Sequence, residues 1–221
     1  MDFPSDIFPQ PFLWLANLLA LLVLAWAFYR APLARLRENA FSHLLFAASV
    51  VILLLWNLRA GIHPGISFHV LGMTALTLMV GWHYALIAAA LALLGSTLNG
   101  NAGPVAYGLN LLVMGALPVS LTWAALRLAQ QHFPRNFFVY VLFNAFLVAG
   151  LGAVAVTLAG AALLWAFDVY QAHWLGYQYL RYFPLVFFAE GVANGMVMTM
   201  MVALRPEWVC TFDDRRYLYG K

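Results

Sequence analysis

The chain has 221 residues, 65% hydrophobic and only 9% charged, where a soluble domain carries about 25% charged residues. A core of this size cannot hide so much apolar surface, so lipid must be its solvent. The net charge of +3 comes from scattered basic residues, which argues against a nucleic-acid face, and the only lysine is Lys221, which excludes a GK(S/T) phosphate loop and an intramembrane retinal lysine.

The first apolar run is 11–28. Asp2 and Asp6 precede it; Arg30, Arg35 and Arg37 follow it. A cleaved signal has the opposite order, so this run reads as an uncleaved helix with its N-terminus outside. The second run, 41–57, ends near Arg59, and LRAGIHPG reads as an outer loop. The third, 67–80, is short for a span of about 20 residues. Ser67 reads as its N-cap, which puts His69 in the first helical turn. Gly81-Trp82-His83 reads as an inner turn and 84–98 as the fourth run; 67–98 is then either two spans or one re-entrant hairpin.

NGNAGP (99–104) has the Asn/Gly/Pro chemistry of an outer loop. Runs at 105–126, 136–166 and 183–204 complete the count, with QQHFPRN inside and 167–180 outside. Three arginines fall in the first inner loop, two in the third and four basic residues in the tail; only Arg59 and Arg181 lie outside. The expectation is an all-α polytopic protein of the plasma (inner) membrane, one domain over 1–221 with about seven transmembrane helices. Segment 1–10 is outer, and 205–221 is a cytoplasmic tail.

This topology gathers the Met1 amine, Asp2, Asp6, His63, His69, Asn99 and Asn101 on the outer side. Pro64 biases His63 toward extended backbone, and Gly65 permits a reversal. Neutral imidazoles suit borderline divalent ions, but a tight site needs three or four donors, so the Met1 amine, Asp2, Asp6 and Asn99 or Asn101 are the candidates to join His69 and His63. The alternative use of both histidines is ordinary loop and helix-start hydrogen bonding.

Asn110, Asn144, Glu190 and Asn194 fall inside apolar runs, where polar groups face the bundle interior. Glu190 needs a partner, for instance Asn110 or Asn144. Gly191 and Gly195 form a GxxxG suited to close helix packing. Met196, Met198, Met200 and Met201 scatter around their helix, as packing residues do. HExxH and GxSxG are absent, and the chain is read as a non-enzyme. His43 and His83, on different helices near the inner side, offer axial ligands for a haem-binding redox subunit. A ligand-free assembly or scaffold protein is the third reading.

Three strings carry a family resemblance: GISFHVLGMTALTLMVGWHYALIAAALALL, NGNAGPVAYGLNLLVMG and EGVANGMVMTMMVALRPEW. They resemble the CbiM/NikM family, the substrate-capture membrane subunits of energy-coupling factor transporters for cobalt and nickel. Gly103, Gly108, Asn110, Met114 and Gly115 match one family pattern in order; Glu190, Gly195, Arg205, Pro206 and Glu207 match the closing helix. The resemblance implies a seven-helix, N-out bundle. Metal is then held by the terminal amine, a second-position histidine and the histidine of Ser-Phe-His, here His69. This chain departs at position 2, where Asp2 stands in place of the histidine. An Asp/His/His set, with His63 replacing the lost imidazole, favours zinc, cobalt or manganese over planar nickel. The resemblance also implies partners, a coupling transmembrane subunit and cytoplasmic ATPase subunits, besides membrane lipid.

Overall fold

The computed structural model describes residues 2–100, 103–213 and 217. Seven helices carry the fold: α1 (Gln10–Arg30), α2 (Asn39–Asn57), α3 (Met73–Val80), α4 (Trp82–Leu98), α5 (Tyr107–His132), α6 (Val139–Ala166) and α7 (Phe183–Leu204). Five helical stretches are apolar and long enough to cross a bilayer: α1, α2, α5, α6 and Ala172–Leu204, while α4 is apolar but shorter. The chain is an all-α polytopic membrane protein. Trp14, Leu15, Leu21 and Leu22 on α1, Leu54 on α2, and Leu185, Phe188 and Met196 on α7 are exposed. Such a belt belongs against acyl chains, not water.

α3 sits at the centre. All eight of its residues are buried, and it packs against α4, α5, α6 and α7. At 1.5 Å per residue it is about 12 Å long, too short to cross alone. Residues 60–72 precede it without helix. They form an antiparallel hairpin, β1 (Ala60–His63) and β2 (Ile66–Phe68), and then a turn-free stretch leading to Met73. This corrects two expectations. Ser67 is no N-cap but a β2 residue, and His69 lies four residues before the helix rather than in its first turn. The reason is that the cap comes from elsewhere in the chain. Glu190 of α7 accepts hydrogen bonds from the backbone N–H of Leu71 (2.8 Å) and Gly72 (2.7 Å), and Asn194 Oδ1 accepts from Ala75 N–H (2.7 Å). A helix start buried among other helices must have its free donors met, and α7 meets them.

α5 and α6 each contain a widened π-helical stretch, Leu111–Ala116 and Val139–Leu147. α6 and α7 are the most extensively packed pair. A Cβ on Gly191 would lie 3.1 Å from the Phe146 carbonyl oxygen, and one on Gly195 3.4 Å from Phe146 Cβ. The GxxxG therefore lets α7 close on α6, as read from the sequence. Met196 and Met200 are exposed while Met198 is fully buried, so these methionines do not form one face.

Candidate metal-capture site

Residues 2–9 pack into the bundle. Phe3 is 1% exposed, in edge-to-face contact with Phe8 at 5.2 Å. Its backbone is gripped at both polar groups by one side chain: Phe3 N–H donates to Asn110 Oδ1 (2.7 Å), and Asn110 Nδ2 donates to Phe3 O (2.9 Å). Asn110 thus serves the N-terminal segment, not Glu190. Around it, the matched glycines make room. A Cβ on Gly103 would fall 2.3 Å from Ser5 N, and one on Gly108 2.5 Å from Asn17 Cα. Asn17 of α1 completes the seam, donating to Val105 O (2.7 Å) and accepting from Gly108 N–H (2.8 Å). Gly103 and Asn110 therefore seat the N-terminal segment, and Gly108 lets α5 close on α1.

Seating Phe3 delivers Asp2 to the hairpin. The Ser67 hydroxyl donates to Asp2 Oδ1, and the Arg59 guanidinium donates to Asp2 Oδ2. Burial alone would raise this carboxyl, but nearby positive charge, Arg59 included, and the Ser67 hydroxyl hold it below its ordinary value. His69 follows β2 directly, with Nδ1 3.5 Å from Val70 O and its ring 6.0 Å from Trp56. Trp56 Nε1 donates to Leu71 O (3.1 Å), so the chain after His69 is held from α2 as well as α7. Burial is the main cause that pushes the His69 imidazole down to about 3. It is neutral at ordinary pH, the form that ligates metal. Asp2 and His69 feel each other's charge.

His63 stands further out. It is exposed, edge-on to Trp174 at 5.0 Å, and Trp174 stacks on Tyr170 at 4.4 Å. Gly65 turns the hairpin with φ +75°, and Tyr170 Oη donates to Pro64 O (3.0 Å). Two cavities open here: one lined by Arg59, Phe68, His69, Tyr182 and Glu190, the other by Asp2, Arg59, His63, Gly65 and Ser67. Among the described residues, no three His, Cys, Asp or Glu side chains come together as a metal cluster. Met1 and Asn101 lie outside the described residues. Asn99 Nδ2 donates to Asn57 Oδ1 (2.9 Å).

The remaining polar residues are dispersed. Glu190 bonds neither Asn110 nor Asn144; besides the α3 amides it accepts from Asn194 Nδ2 (2.9 Å). Asn144, within the π stretch of α6, is 2% exposed, and its Oδ1 has no partner among the described residues. His43 is exposed on α2. His83 packs against Trp82 (5.2 Å) and Trp26 (5.9 Å). Arg59 and Asn17 are residues around the candidate site that the reading of motifs passed over, and Ser67 was read as a helix cap rather than a partner of Asp2. Arg59 did carry a signal, since it broke the charge pattern.

An all-α membrane bundle with residues 2–9 packed into one end, beside a histidine-bearing hairpin, defines the class: a polytopic membrane protein with a candidate site at that end. The chain belongs to the CbiM family, whose model, the cobalt uptake substrate-specific transmembrane region, matches residues 2–208. It is accordingly a membrane component of transition-metal uptake, and not an enzyme. Two solved structures share the fold. A truncated transition metal transporter aligns with a TM-score of 0.76 and 20% identity, over 92% of this chain and 99% of the other. A transition metal transporter aligns with 0.74 and 19%, over 92% and 93%. No curated protein matches the chain.

Proposed function

We propose that the chain captures a divalent transition-metal ion at the end of the bundle where its N-terminal segment is seated, for ATP-driven uptake across the inner membrane. His69 and Asp2 are the principal side-chain ligands; the Met1 amine and His63 contribute. The observation that carries this reading is the Asn110 clamp on Phe3, because it places Asp2 at the hairpin within electrostatic reach of a neutral His69. A carboxylate plus imidazole suits cobalt, zinc or manganese in tetrahedral or octahedral geometry better than planar nickel. With no phosphate loop of its own, the chain needs a coupling transmembrane subunit and ATPase subunits. The N-terminus faces outward, as the arginine distribution argues.

The test is bound metal. The full chain, purified with its native N-terminus, is loaded with cobalt, nickel, zinc or manganese, desalted and measured by mass spectrometry. Near-stoichiometric metal that His69→Ala removes, and Asp2→Ala weakens, is the expected result. Absence of metal in the wild type under every loading condition would sink the reading.

A further inference from the structure

The positive-inside pattern leaves Arg59 out of place. It follows α2 and precedes β1, and its guanidinium pairs with the Asp2 carboxylate. The other carboxylate oxygen takes the Ser67 hydroxyl. Side-chain exposure is 28% for Arg59 and 12% for Asp2, so the carboxylate is largely and the guanidinium only partly withdrawn from water, and charges so placed are screened less. Among the described residues, Arg59 is the one that lines both cavities, the one holding His69 and the one holding Asp2, His63 and Ser67. It is their common wall.

A carboxylate already neutralised by a guanidinium is a poor ligand. A divalent ion arriving beside Arg59 also meets a like charge, at a cost greater in a partly buried site than in water. We infer that Arg59 is a resident counter-cation which an incoming ion must displace from Asp2, so that Arg59 sets both the affinity and the selectivity of the site. The inference rests on the metal-capture reading above. The selectivity follows from ligand chemistry. A transition-metal dication gains the His69 lone pair as well as the carboxylate, and can offset the displacement. Magnesium and calcium, which favour oxygen donors, gain little from an imidazole. Arg59 therefore bars the hard, abundant dications more than it bars the cargo.

The test compares wild type, Arg59→Gln, Arg59→Lys and Asp2→Asn/Arg59→Gln. Each is the full chain with a native N-terminus, titrated with cobalt(II) with and without millimolar magnesium, and bound metal is read by mass spectrometry. Arg59→Gln keeps an N–H for Asp2 but loses the charge. It should bind cobalt on the order of tenfold tighter than wild type and become sensitive to magnesium. Arg59→Lys should stay close to wild type, and the gain should vanish without the Asp2 carboxylate. Tighter cobalt binding by Arg59→Gln than by a loaded wild type, lost again in the double variant, supports the inference. Equal or weaker binding by Arg59→Gln, with wild type loaded, overturns the role of Arg59 and leaves metal capture standing. Failure of both to bind overturns both. Should Arg59→Gln not fold, the wild type answers instead. Phenylglyoxal modification of Arg59, mapped by peptide mass, should rise when cobalt is added; an unchanged or lower yield overturns the inference.

Discussion

Two buried side chains hold the backbone around the candidate site. Asn110 meets both backbone groups of Phe3. Asn110→Ala leaves a buried donor and acceptor unmet, at about 1–3 kcal/mol each. The expected outcome is a lower unfolding temperature in detergent, faster proteolysis before α1 and weaker cobalt retention, read on one preparation. Glu190 accepts from Leu71 and Gly72. Glu190→Gln presents an amide donor to one of those N–H groups, an unmet contact costing about 1–3 kcal/mol. Hydrogen exchange at Leu71 and Gly72 should accelerate, while exchange in the middle of α6 should not. If the two amides stay protected, α3 does not depend on its cap from α7. Both residues were legible as intramembrane polar groups, because their cost in lipid marks them. Their partners were not legible, since a carboxamide 107 residues from Phe3 and a carboxylate 119 residues from Leu71 are joined only by folding.

Among the helices, glycines set how closely elements approach, and they are not equivalent. A Cβ on Gly108 would sit 2.5 Å from Asn17 Cα, a backbone atom that cannot swing aside; on Gly195 it would meet Phe146 Cβ at 3.4 Å, ordinary contact. Gly108→Ala should therefore destabilise by about 1–3 kcal/mol and part α1 from α5. Gly195→Ala should cost less than about 1 kcal/mol. Thermal unfolding of the two variants side by side checks the order, and a larger loss at Gly195 would refute it. The sequence pattern marked both positions but not their difference, which lies in what stands opposite each one. Similarly, the apolar run at 67–80 announced a helix six residues early. Its first residues pair as a strand with 60–63, and the helix begins only where Glu190 and Asn194 cap it.

For the whole molecule, the proposed topology puts the seated N-terminus outside, with the α4–α5 loop beside it and the α5–α6 loop opposite. With Cys210 changed to Ser, a cysteine at Leu98, 80% exposed, should react with an impermeant maleimide in intact cells. A cysteine at Phe133, 43% exposed, should react only after permeabilisation. The reverse pattern would invert the protein and place the capture site on the wrong side for uptake. Composition by itself determined that the chain lives in lipid, because 65% hydrophobic residues with 9% charged ones leave no aqueous solution to the folding problem. Apolar runs, arginine placement and three loose motifs determined the helices and the family. Only the tertiary structure decided what the motifs are for. Gly103 and Asn110 seat residues 3–5, Gly108 brings α5 against α1, the closing-helix glutamate caps a helix from another part of the chain, and Arg59 closes on Asp2. These are long-range hydrogen bonds and ion pairs, made by groups that local periodicity and charge counts cannot connect.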